Sequence, residues 1–309
     1  MLDILGALIP VFLVIAFGVL VRLRKLFDDG FWDGIERLTF YILFPALLIA
    51  RIGGAEVPGA DLVPLFAALF TATAAVCIVM ALLRPGLKWE GGVFVAVLQG
   101  AVRSNTYVGL AAATALYGEA GLTLAAVAIL AVLPLVNFAG VYAHHRWDGG
   151  GTADESATAQ AIKASFKNPI IIACLIGAAL NLTGLGLPPL VGDALDILGR
   201  AALPLGLMAV DTSLNLRALR LAGGPAAASV AIKLLILPAI TMVACGLFRV
   251  SGVTASVAVL FAALPVSASS YVMTRQMGGE GELMAAIVAL STVLAMVTLP
   301  IVVWGLGTP

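Results

Sequence analysis

The chain has 309 residues, 61% of them hydrophobic; 17 are Lys or Arg and 17 Asp or Glu, for a formal net charge of zero. A mean hydropathy of +1.10 exceeds what the core of a soluble domain requires, which places the chain in a membrane. No basic or aromatic stripe suggests a nucleic-acid surface, and the alternation of a β-barrel is missing, since "LVPLFAALFTATAAVCIVMALL" (62–83) is apolar on every face.

The expected fold class is all-α, a polytopic membrane protein with ten transmembrane helices. A helix needs about 20 apolar residues to cross roughly 30 Å of hydrocarbon. In chain order such spans fall near 3–21, 35–51, 61–83, 91–116, 121–143, 168–187, 193–211, 221–248, 254–275 and 283–305. The first has no basic n-region and is followed by "VRLRKLF", so it reads as a retained span rather than an export signal. Cys77, Cys174 and Cys245 each lie in an apolar run without ligand-like spacing, as buried thiols do. His144 and His145 open the hydrophilic stretch 144–167 and, with no other histidine in the chain, suggest a solvated helix end rather than a metal site. No metal and no cofactor are expected.

Lys and Arg mark the cytoplasmic side of short loops. With the N-terminus outside, the inner side carries Arg22, Arg24, Lys25, Arg37, Arg84, Lys88, Arg146, Lys163, Lys167, Arg217, Arg220 and Arg275. The outer side carries Arg51, Arg200 and Arg249. Both termini are therefore expected outside, with 144–167 as a central cytoplasmic loop separating five-span halves at 1–143 and 168–309. The halves share local patterns, "FPALLIARIGG" with "LPLGLMAVDTS" and "VAVLQGAVRSNTYVGL" with "VAVLFAALPVSASSYV". An odd number of spans per half makes such a repeat inverted, and interrupted helices in corresponding places point to a secondary transporter's binding site.

Those places are the fourth and ninth spans. Arg103, Ser104, Asn105 and Thr106 stand side by side within an apolar segment, although a charge at a bilayer centre costs about 2.5 to 3.5 kcal/mol on insertion scales. In the ninth span Pro265 lacks an N–H and breaks the helix before Ser267, Ser269 and Ser270. A broken helix exposes backbone donors at one half and carbonyls at the other, and it is tolerated only where protein or a watery cavity surrounds it. Two such breaks meeting at mid-membrane form a polar nest, and the positive ends of half-helices favour an anion. For Gly109 and Ser267 taken singly, close helix packing is the competing reading. Arg103 serves the site or a structural ion pair. Lys233 either snorkels or acts in coupling, and Asp211 is a helix-end cap or a coupling group.

The ten-span plan, "QGAVRSNTYVGLAAATALYG", "FPALLIA" and "AALPVSASSYVMTRQMGG" together resemble the auxin efflux carrier family, particularly its bacterial members, often labelled malonate or malate transporters. The resemblance implies a fold like that of bile-acid sodium symporters, with a scaffold of spans 1, 2, 6 and 7. The transport core would be spans 3–5 and 8–10, with crossed, interrupted helices 4 and 9. It implies that a small organic carboxylate is received by Asn105 and the broken-helix backbone, with Arg103, Ser104, Thr106, Tyr107, Pro265, Ser267, Ser269 and Ser270 around it. It further implies elevator-like transport, a homodimer in the bacterial cytoplasmic (inner) membrane, and Na+ or H+ coupling left open. The chain has Ser104 where the plant carriers place a proline, which weakens inference about auxin itself. A non-transporting receptor of the same fold is the alternative, and an enzyme is not expected because the spans hold almost no titratable residues facing one another.

Overall fold

The computed structural model describes residues 2–54, 59–148, 167–209 and 223–307. The protein is an all-α polytopic membrane protein, built from thirteen α-helices among the described residues: α1 (Leu2–Leu23), α2 (Asp29–Leu38), α3 (Phe44–Gly53), α4 (Gly59–Leu83), α5 (Gly91–Val102), α6 (Thr106–Trp147), α7 (Pro169–Leu182), α8 (Pro189–Ala209), α9 (Gly224–Ala231), α10 (Leu237–Leu247), α11 (Gly252–Ala262), α12 (Ser269–Gln276) and α13 (Gly281–Gly305). Turns of π-helix join α2 to α3 (Thr39–Leu43) and α9 to α10 (Ile232–Ile236).

The expectation of ten transmembrane helices in two inverted five-helix repeats is corrected by these elements. Among the described residues five helices are long and apolar enough to cross a membrane: Asp3–Leu23, Leu62–Gly86, Thr106–Trp147, Gly224–Leu247 and Gly281–Gly305. The expected fourth span stops at Val102 after 12 residues, the sixth at Leu182 after 14 and the ninth at Ala262 after 11. At 1.5 Å per residue, helices of that length reach about 16 to 21 Å, short of the hydrocarbon thickness. The expected second span stays helical from Asp29 to Gly53 through the Thr39–Leu43 π turn and carries Asp29, Asp33, Glu36, Arg37 and Arg51. In the seventh, α8 carries Asp193, Asp196 and Arg200. The second part of the expected fourth span is joined to the fifth in α6, 42 residues bent at Gly118. Gly118 has φ 61°, a left-handed conformation that a side chain disfavours.

Local chemistry sets the helix starts that matter for function. The Asp28 side chain accepts from Phe31 N at 2.8 Å and caps α2. Asn168 caps α7 by accepting from Ile170 N at 2.9 Å, with Pro169 in the first turn, where its missing N–H costs nothing. Asn105 caps α6 by accepting from Val108 N at 3.3 Å.

The helices pack in two groups. α3 lies against α7 and α8, and α1 against α8. In the other group α6 packs on α4, α5 and α11, α10 joins α4 to α11, and α13 holds α5, α9 and α12. α6 also touches α1, α3, α7 and α8, so the groups meet along it. Asp211, most of the 144–167 stretch, and the basic residues Lys163, Arg217 and Arg220 lie outside the described residues.

Candidate functional site

Two helix interruptions touch. α5 ends at Val102 and α6 begins at Thr106; α11 ends at Ala262 and α12 begins at Ser269. The intervening strands of backbone lie antiparallel, with an isolated β-bridge between Ser104 and Val266. Asn105 N donates to Pro265 O at 2.9 Å, and Ser267 N donates to Arg103 O at 3.3 Å. Each break thus satisfies backbone groups that the other leaves without helical partners, which is how irregular backbone survives inside an apolar bundle. Val266 N donates to Ser291 Oγ of α13 at 3.0 Å, which fixes the second break to a long helix.

Side chains fill the remaining demands. Ser104 Oγ donates to Phe261 O at 3.0 Å and accepts from Lys233 Nζ at 2.7 Å; Lys233 Nζ also donates to Ala262 O at 2.8 Å. The carbonyl end of α11 is therefore covered by a hydroxyl and an ammonium, the charge sign that a helix C-terminus favours. Lys233 is fully buried. Arg103 is also buried, at 6% exposure. Its guanidinium donates to Gln99 Oε1 at 3.3 Å and to Asn137 Oδ1, and it touches Met273 Sδ. All of these partners are neutral. Gln99 Nε2 in turn donates to Thr274 Oγ1 of α12 at 3.5 Å.

A cavity of about 810 Å³ lies beside the bridge. Of the residues singled out in the sequence, Arg103, Ser104, Asn105, Thr106, Tyr107, Ser267 and Ser269 line it. Pro265 and Ser270 are buried behind the lining, and Lys233 reaches it only through Ser104. The Ser270 hydroxyl is buried without a partner, while Ser267 and Ser269 share a hydrogen bond at 2.8 Å. The Tyr107 ring stands edge-on to Phe44 of α3, with centroids 4.8 Å apart, and a Cβ added at Gly206 of α8 would come within 2.3 Å of it. Tyr107 thereby carries the site across to the α1/α3/α7/α8 group. From that group Asp33, Glu36 and Arg37 of α2 and Asn168 before α7 also line the cavity.

The sequence did not single out Asn137, Asp33, Glu36 or Asn168. A lone Asn in "PLVNFAG" and charges at the start of a span carry no local mark; only the tertiary fold brings them to Arg103 or to the cavity.

These features define a polytopic helical membrane protein with a polar, positively charged break buried at its heart. The pattern of the family described as Membrane transport protein (Mem_trans) matches residues 154–303, just under half of the chain. An "Uncharacterized transporter" of the archaeon Methanothermobacter thermautotrophicus is 22% identical to it over 296 residues, spanning 95% of each protein. Both similarities are to transport proteins rather than to enzymes. Among the described residues no group of three or more His, Cys, Asp or Glu is placed to hold a metal ion.

Proposed function

We propose that this protein is a secondary transporter of the membrane-transport family whose pattern it matches, moving a small organic anion, a mono- or dicarboxylate such as malonate or malate. The observation that carries the reading is Arg103, a buried guanidinium lining an 810 Å³ cavity whose partners among the described residues are all neutral. A charge removed from water without a counter-charge is costly, and a ligand carboxylate supplies one with charge-assisted hydrogen bonds. Asn105 supports the same chemistry. Its Oδ1 is engaged in capping α6, which leaves the Nδ2 donors for the ligand. The first turn of α6 adds the positive end of a helix dipole.

The cavity is walled by both helix groups, which suits an elevator-like cycle. The group holding the breaks (α4–α6 and α9–α13) is the transport core, carrying the anion past α1–α3, α7 and α8 as the scaffold. A homodimer joined through that scaffold, in a bacterial cytoplasmic membrane, belongs to the same proposal. The test is uptake of radiolabelled malonate or malate into vesicles reconstituted with the purified protein. Saturable uptake that is lost in Arg103→Gln is expected. Binding without uptake would instead favour the non-transporting receptor.

A further inference from the structure

We propose that Lys233 is the coupling group of this transporter: it takes up a proton when the anion binds and releases it through Ser104 to the cavity, so that the anion travels with a proton and no sodium ion is needed. The inference rests on the anion-transport reading above and adds what drives it.

The geometry around Lys233 is that of a cation site whose cation belongs to the chain. The Nζ atom bonds a backbone carbonyl, Ala262 O, and a hydroxyl, Ser104 Oγ, one from each interrupted segment. Neutral oxygens of this kind at a broken helix are the donors that hold a coupling ion in other transporters. Here the ammonium already occupies the place. It sits on the Ile232–Ile236 π turn, a local widening that frequently marks functional positions in helices.

Among the described residues no acidic side chain pairs with it. The elements packed around this turn are α5, α9, α10 and α13. α5 and α9 have no titratable side chain, nor does α11, which supplies Ala262; α10 has Cys245, and α13 has Glu282 in its first turn. Arg103, beside Ser104 in the chain, is the adjoining charged group, and it is a cation. A neutral residue could cover the end of α11, as Ser104 does for Phe261 O. The end of α11 favours a cation, but as Ser104 shows it does not require one, so a charge that comes and goes adds a role that covering this helix end leaves open.

Ser104 also provides the path. Its hydroxyl bonds Lys233, and the residue lines the cavity. On deprotonation the Ser104 hydroxyl first turns its hydrogen from Phe261 O to a cavity water, and the ammonium then hands a proton to the Ser104 oxygen while that hydroxyl gives its own to the water. The balance is ammonium plus water to amine plus hydronium, and the serine is regenerated. The sign of the coupling follows from charge. An anion beside Asn105 and Thr106 favours the ammonium over the amine, so the bound state holds more protons than the free one. By reciprocity the protonated lysine favours the anion. Affinity is then highest at low pH and falls as pH rises, at most by about tenfold per pH unit for one linked proton.

The experiment is calorimetric titration of the full-length detergent-purified protein with malonate, at a pH where malonate is fully ionised and in buffers of different ionisation enthalpy. Parallel titrations with malate and acetate, and with choline in place of sodium, complete the panel. Wild type is expected to take up protons on binding, to bind more weakly as pH rises, and to be indifferent to the sodium replacement. Lys233→Arg, which keeps the charge but does not titrate, and Lys233→Met are expected to bind without proton uptake and with a flat pH profile. Thermal melting checks their folding, and the wild-type measurement stands without either. Binding by wild type with no proton uptake, a requirement for sodium, or undiminished uptake in a folded variant each overturns this inference alone. Failure of wild type to bind any of the three carboxylates overturns the anion-transport reading and the inference with it.

Discussion

Arg103 and Asn105 face the same cavity but are held there for different reasons, and substitutions can separate them. Arg103 is anchored by Gln99, Asn137 and Met273. Arg103→Gln should therefore remove the charge while keeping a polar side chain in place. The expected loss is about 1.5 to 3 kcal/mol of anion binding, roughly ten- to a hundredfold in Kd, read by calorimetry. Asn105 is a helix cap and, in the proposed site, a ligand donor. Asn105→Ala loses both roles, including a cap worth about 0.5 to 2 kcal/mol of stability. Asn105→Asp keeps an acceptor for Val108 N but replaces the Nδ2 donors with negative charge. It should melt close to wild type and lose anion affinity by at least about a hundredfold; an Asn105→Asp protein that binds normally removes Asn105 from the site. At this scale the sequence was most legible, because four polar residues in an apolar run stand out against the cost of burying them. Asn137 was not legible, since one Asn in a helix is also ordinary glue between helices.

Helix breaks are tertiary objects, and their lengths are where reading the sequence by hydropathy fell short. Arg103–Thr106 and Pro265 marked interruptions in 91–116 and 254–275, but hydropathy still counted each stretch as one full span; the helices stop at Val102 and Ala262, where each break finds backbone partners in the other. The π turns at Thr39–Leu43 and Ile232–Ile236 leave no comparable trace in composition. Element ends also carry the link between the two helix groups away from the cavity. Arg51, near the end of α3, donates to Glu119 Oε2 at 2.6 Å, just past the Gly118 bend of α6, and to Asp196 Oδ1 of α8 at 2.7 Å. Glu119 is exposed, so the pair itself is worth about 0 to 1 kcal/mol. Its position matters more, because it ties the proposed core to the scaffold through residues that do not line the cavity. Arg51→Cys with Glu119→Cys, in a protein lacking the three native cysteines, should be bridged by a reducible bifunctional thiol reagent whose length replaces the two side chains. The linked form is expected to bind malonate and fail to transport it, with recovery on reduction. Transport undiminished by a complete cross-link would mean that the two groups do not move apart there.

At the scale of the whole molecule the cavity and the charge distribution bear on one question, which face is open. Asp33, Glu36, Arg37, Asn168 and Gln276 line the cavity together with the break residues; Arg37 is itself basic, Asn168 follows Lys167 and Gln276 follows Arg275 in the chain. Those basic residues belong to the set whose excess marks the cytoplasmic side. On the proposed topology this end of the cavity faces the cytoplasm, and the proposed transporter would accept or release its anion there. Gln276→Cys in the cysteine-free background places a thiol at the cavity wall near that basic end. A membrane-impermeant maleimide should label it rapidly in inside-out vesicles and slowly in right-side-out ones, and saturating malonate should slow labelling from the inside by closing or filling the cavity. The orientation and the ligand are read separately in this design, since sidedness needs no substrate and protection needs no assumption about sidedness. Labelling confined to right-side-out vesicles would reverse the orientation inferred from the basic residues. Labelling from the inside that no carboxylate slows would leave the topology in place and remove the cavity from the proposed transport path.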